Sequence, residues 1–117
     1  MALIQHEPGG DVVSQALDEG ATISAVNLSE VIAKLADSGA AEALIRSALA
    51  RLNVEVVAFD AELAYSAGLL RPLTRQAGLS LGDRACLALA RRLAAEVITT
   101  DRSWAELGLE VAVRVAR

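Results

Sequence analysis

The sequence predicts an α/β fold, and three observations carry that prediction. Short apolar segments rich in β-branched residues, "ATISA" at 21–25, "VEVVAF" at 54–59, "EVITT" at 96–100 and "LEVAVRVA" at 109–116, have the length and composition of strands. Longer stretches between them repeat their apolar residues at helical spacing. The strands are apolar throughout instead of alternating, which is the pattern of a mostly parallel sheet covered on both faces by helices.

Taken in order, residues 9–20, "GGDVVSQALDEG", read as a short helix with Asp11 as N-cap and Gly20 as its stop. The strand at 21–25 follows. Residues 27–39, "NLSEVIAKLADSG", then form a helix opened by Asn27, with Leu28, Val31, Ile32 and Leu35 on one face and Gly39 at its end. Residues 40–53 are an alanine-rich amphipathic helix leading to the strand at 54–59. Asp60 caps a helix over 61–78 that Pro72 interrupts. After a pause at "LSLG", a helix runs over 83–94. The strand "EVITT", the acid Asp101, a turn or short helix around Trp104 and a last strand at 109–116 complete the chain.

A chain of 117 residues with 54% hydrophobic and 22% charged residues suits one globular domain spanning 1–117. No apolar run approaches the roughly 20 residues that cross a bilayer, and no basic-then-apolar leader is present, so the expected location is cytoplasmic, without a membrane partner. A lone cysteine, Cys86, and a lone histidine, His6, exclude an internal disulfide and a zinc cluster of soft ligands. The net charge of −4 is unevenly spread: residues 1–60 carry nine acids against three bases, and residues 61–117 carry six acids against eight arginines. Overall acidity argues against indiscriminate binding to nucleic acid. Trp104 and Tyr65 read as packing or surface residues before they read as base-stacking platforms.

In an open α/β sheet, ligands bind beyond the carboxyl ends of the strands. Three acids from distant parts of the chain are assigned to that edge: Glu30 about a turn into the helix after the first strand, Asp83 at the start of a helix, and Asp101 directly after "VITT". Each has a local structural role open to it. Asp83 suits a first-turn acid beside the helix N-terminus, Asp101 suits a turn, and Glu30 suits a solvated helix face. Together they suggest a shared cation, because crowded carboxylates must either hold protons or bind one. An all-oxygen site suits Mg²⁺ or Mn²⁺.

With Ser24, Asn27 and Glu30 in "ISAVNLSEVIAKL", Asp83 in "GLSLGDRACLALA", and Thr99 and Asp101 in "VITTDRSW", the chain resembles PIN-domain ribonucleases, particularly the VapC-type toxins of bacterial toxin-antitoxin pairs. The resemblance implies a PIN-like three-layer α/β/α sandwich and a metal-dependent endoribonuclease. Glu30, Asp83 and Asp101 would hold Mg²⁺ (or Mn²⁺) while water attacks an RNA phosphodiester. Thr99 joins them at the catalytic site, with Ser24 and Asn27 orienting water or substrate; capping and packing are the competing roles for these three. Homodimerisation and neutralisation by a cognate antitoxin are implied too, with the helix faces around Val31, Ile32 and Leu35 and around Leu44, Ile45 and Leu49 open to such contacts or to core packing.

Family members begin with an apolar strand ending in an aspartate, then a helix running into a Glu-Pro-Gly turn. Here the turn is "HEPGG" and the preceding helix is read as "MALIQ", so the resemblance also implies an N-terminally truncated fold lacking the first strand and the first acid. Asp11 lies beyond the turn and does not replace that acid. A vacant central strand would leave backbone donors and acceptors without partners, weakening the fold or inviting a neighbour's strand, and one carboxylate fewer would weaken metal binding. The alternative to an enzyme is a PIN-like remnant that binds an antitoxin or itself without cutting RNA. A phosphoacceptor receiver domain is a third reading that the sequence disfavours, since it needs a late lysine at a strand end and Lys34, on an early helix, is the only lysine.

Overall fold

In the computed structural model, which describes residues 3–5, 20–99, 102–109 and 111–115, five strands form one sheet. They are β1 (Leu3–Gln5), β2 (Ala21–Ser24), β3 (Val54–Val57), β4 (Glu96–Thr99) and β5 (Val113–Val115), in the order β3-β2-β1-β4-β5. Helices α1 (Ala25–Asp37) and α2 (Glu42–Ala50) connect β2 to β3. Helices α3 (Ala61–Leu69), α4 (Arg71–Thr74) and α5 (Leu81–Leu93) connect β3 to β4, and a 3-10 helix, Arg102–Glu106, follows β4. The α/β class and its sandwich of helices over a sheet are as the sequence predicts. The helix expected at 9–20 lies outside the described residues. Among the described residues, no helix is long and apolar enough to cross a membrane.

The first five residues require a correction. Leu3–Gln5 is a strand and not the end of a helix. It lies in the middle of the sheet, antiparallel to both neighbours, with Ile4 opposite Thr22 and Leu3, Ile4 and Gln5 opposite Ile98, Val97 and Glu96. The central position expected to be vacant is thus filled by the chain itself, because the inner edges of β2 and β4 need hydrogen-bond partners and the backbone of a three-residue segment can supply them. The pairs β2 with β3 and β4 with β5 are parallel.

Strand register separates the two faces. Thr22, Ser24, Val57, Val97, Thr99 and Val113 share one face, and Ala21, Ile23, Val54, Val56 and Ile98 share the other. Adjacent Val97 and Ile98 are both 0% exposed, so both faces are covered at β4. On the first face the core joins Leu63 and Ala67 of α3, Leu70 and Leu79, Cys86 to Ala90 of α5, Val97 and Trp104, with Val57, Phe59 and Val113 packed against it. Trp104, 3% exposed, is a packing residue, whereas Tyr65 is a surface residue at 70%.

Helix boundaries follow local chemistry. Ser24, not Asn27, is the N-cap of α1: its hydroxyl accepts from the Asn27 N–H at 3.1 Å, so the helix begins two residues before the expected cap. Gly39, at φ 100°, turns the chain after α1 in the left-handed region that glycine enters without penalty. Asp60 caps α3 as expected, accepting from Leu63 N–H at 2.9 Å. Its carboxylate also receives both terminal nitrogens of Arg92, at 3.0 and 3.1 Å, tying the start of α3 to the end of α5. That guanidinium, then the Leu63 N–H, holds the Asp60 carboxyl below its usual range. Pro72 falls in the first turn of the short α4, where a missing N–H is tolerated. The last strand starts later than expected, at Val113 instead of residue 109.

Candidate functional site

β2 and β4 run in the same direction on either side of β1, and register aligns Thr22 with Val97 through Ile4. Two residues further along each strand stand Ser24 and Thr99, in one row and on one face, roughly 10 Å apart at the backbone from two interstrand spacings. This is the carboxyl rim of the parallel strands. Gln5, the carboxyl end of β1, pairs with Glu96 at the opposite rim. Ser24 is 0% exposed and Thr99 3%, and Thr99 has interactions of its own within the fold.

From Ser24 a polar chain runs outward. The Ser24 hydroxyl donates to Asn27 Oδ1 at 2.8 Å, and Asn27 Nδ2 donates to the Gly82 carbonyl at 2.9 Å and to Glu30 Oε1 at 3.2 Å. Both of the latter are acceptors, so the amide nitrogen must face them, and the orientation of Asn27 follows from its partners. Asn27 therefore links the start of α1 to the start of α5, 55 residues away in sequence. Glu30, one turn on, has its carboxylate against Gly82: a Cβ built at Gly82 would fall on both carboxylate oxygens.

Asp83 is the next residue. The sequence reading had α5 begin at Asp83, but it begins at Leu81 with Ser80 as N-cap. Asp83 is its third residue and closes a capping box: Asp83 N–H donates to Ser80 Oγ at 3.2 Å, and Ser80 N–H donates to Asp83 Oδ2 at 2.9 Å. The first-turn role is therefore real, and it occupies one carboxylate oxygen. Beneath the pair lies Cys86, 1% exposed, whose thiol is pushed up to about 12 by burial and then by the negative charges of Asp83 and Glu30. Both charges act on the same buried sulfur, so the two carboxylates share one neighbourhood.

A cavity of about 590 Å³ opens beside them, bordered by Ser29 and Glu30 of α1, Phe59, Ser80 and Gly82. A larger one, about 760 Å³, lies between α1, α2 and the sheet. Its charged members are Glu42 and Arg46, paired at 2.8 Å on the surface, and its walls are otherwise apolar. Glu30 is the carboxylate that borders the smaller cavity, and Ser80, which caps Asp83, lines it too.

Glu30 and Asp83 offer the oxygen donors that a hard divalent ion takes. On each, one oxygen is held by a protein N–H, while no described residue donates a hydrogen bond to Glu30 Oε2 or Asp83 Oδ1. These residues fit such an ion. Among the described residues no group of three or more His, Cys, Asp and Glu side chains gathers at one point, and Asp101 lies outside them.

Sequence reasoning passed over Gly82 as a mere helix boundary and overlooked Ser80 and Phe59. "SLGD" carries the Ser-x-x-acid signature of a capping box, which identifies Ser80 and moves the helix start back to Leu81. Phe59 and Gly82 have no such signal, since their roles depend on contacts across the fold.

The site thus belongs to an α/β domain with two acids near the carboxyl rim of its parallel strands. The PIN domain profile matches residues 1–109, and the chain belongs to the PIN domain family. PIN domains are generally nucleases and typically use divalent metal ions, so membership supports a nuclease. No curated protein and no solved structure matches the chain.

Proposed function

We propose that this protein is a metal-dependent endoribonuclease of the VapC toxin type. The carrying observation is the Glu30 carboxylate seated against Gly82 beside Asp83, one oxygen of each acid held by an N–H and the other turned to no described donor. Glu30, Asp83 and Asp101, two positions past the end of β4, are the proposed ligands of Mg²⁺ or Mn²⁺. When bound, such an ion lowers the pKa of water and neutralises charge on a phosphodiester. The chain's own residues supply position. Asn27 fixes the Glu30 carboxylate and Ser24 fixes Asn27. Ser80 fixes Asp83, and Thr99 stands at the rim where substrate enters.

Purified protein with Mn²⁺ or Mg²⁺ is expected to cut RNA internally, to stop on addition of EDTA, and to lose at least about a hundredfold in rate on Asp83→Asn. RNA that stays intact with either metal sinks the reading. Homodimerisation and capture by a cognate antitoxin belong to the same proposal. They are supported by the apolar cleft that Leu28, Val31, Ile32, Ile45 and Leu49 line and by Leu44, exposed at 63%. That cleft also supports the second reading, a non-catalytic module that binds the antitoxin or itself, for which intact RNA together with a stable complex is the expected result.

A further inference from the structure

We propose that Gly82 is a positioning residue: its missing side chain is the recess that seats the Glu30 carboxylate next to Asp83, setting the geometry in which the pair takes a divalent cation. The inference rests on the metal-nuclease reading above. Gly82 is the second residue of α5 and is buried. Its backbone is not among those in the left-handed region, which are Gly20, Gly39, Gly78 and Gly108 among the described glycines, so conformation does not call for glycine there. Helix propensity argues against it, since glycine is the poorest helix former after proline.

Space is what calls for it. The three atoms nearest a Cβ at Gly82 are Oε1, Oε2 and Cδ of Glu30, and no backbone atom is among them. The other described helical glycine, Gly68 in α3, would place its Cβ within 4 Å of nothing. The obstacle at Gly82 is thus the far end of a flexible side chain on an exposed residue, which yields by moving out. Alanine at 82 is accommodated by expelling the carboxylate, leaving the helix intact. Asn27 holds the same arrangement from the other side, donating at once to the Gly82 carbonyl and to Glu30.

The test uses Mn²⁺ alone as probe, without RNA, on the full chain. Mn²⁺ affinity is measured by titration calorimetry, and melting temperature is measured in EDTA, for wild type and for Gly82→Ala, Gly68→Ala, Glu30→Ala and the double variant Glu30→Ala/Gly82→Ala. Gly82→Ala is expected to weaken Mn²⁺ binding by about tenfold to a hundredfold, the usual effect of disturbing what orients a ligand. Its metal-free melting temperature is expected to equal or exceed that of wild type by a few degrees. Gly68→Ala raises the melting temperature without changing affinity, and the double variant binds no more weakly than Glu30→Ala alone. Gly82→Ala binding Mn²⁺ as wild type does overturns the inference. So does a metal-free melting temperature that falls in Gly82→Ala and falls equally when Glu30→Ala is already present, because Gly82 then serves packing and not Glu30. Wild type that binds no Mn²⁺ is a separate result and removes the metal reading together with the inference.

Discussion

On one face of the sheet α5 buries seven residues, Gly82 and Ala85 to Ala90, against α3, β4 and Trp104; on the other face α1 buries none and α2 buries only Ile45. Both faces carry apolar residues, but the helices over the second bury far fewer of their own. Leu44, Ile32 and Val56 stay exposed at 63%, 37% and 46%, and Ile32 and Val56 line the larger, apolar cleft. Stability therefore resides on the α5 face, while the α1 and α2 face keeps apolar surface available for a partner. The candidate site lies where the two meet, with Glu30 of α1 resting on Gly82 of α5.

This contrast sets the size of mutational effects. Leu87→Ala, at a side chain 0% exposed in the middle of the α5 core, is expected to cost about 2–5 kcal/mol in urea unfolding, because it leaves a cavity among neighbours that cannot collapse. Leu44→Ala is expected to stay within about 0.5 kcal/mol, since its side chain is already largely in water. Equal losses at the two positions erase the distinction between the faces.

A smaller effect comes from the thiol under the site. Cys86 is raised from 9.0 to about 12, chiefly by burial and then by Asp83 and Glu30. Below pH 9 the thiol is neutral in folded and unfolded chains alike and pH has no leverage through it. As pH rises beyond 9 the unfolded chain ionises its cysteine while the folded one does not, so stability drains away between pH 9 and 12 at up to about 1.4 kcal/mol per pH unit. The measurement is the difference in this slope between wild type and Cys86→Ala, which cancels every other alkaline group. Identical slopes place Cys86 in contact with water and open the α5 face.

How much of this was readable from the sequence divides along the same line. The strands at 21, 54 and 96, the cap at Asp60 and the core periodicity of α5 depend on neighbours a few residues away, and they stand where pattern and propensity put them. The approach of Glu30 to the start of α5 was anticipated from two cues, a helix leaving β2 at the carboxyl rim and a helix N-terminus turned toward that rim. Leu3–Gln5 was misread because a five-residue apolar segment suits helix or strand equally, and only the unpaired edges of β2 and β4 decide between them. Gly82 was read as a helix boundary because nothing within its own helix reveals a side chain arriving from α1. Long-range packing, absent from any local window, accounts for both misreadings.

The smallest effect probes the junction itself. Asn27→Ala deletes the bonds from Nδ2 to the Gly82 carbonyl and to Glu30 but leaves the cap of α1 in place, because the Ser24 hydroxyl accepts from the backbone N–H of residue 27. The Gly82 bond is the part-buried one of the two and the one that spans the two faces, so its loss should cost about 1 kcal/mol. Where that cost falls is more informative than its size. If α1 is held to the core by this strut, native-state hydrogen exchange should show the α1 amides losing protection by about fivefold while the α5 amides keep theirs, since α1 then opens on its own below the global transition. Equal loss of protection in α1 and α5 means the two helices unfold as one unit. In that case the faces differ in packing but not in cooperativity, and the site sits inside a single rigid body instead of at a joint.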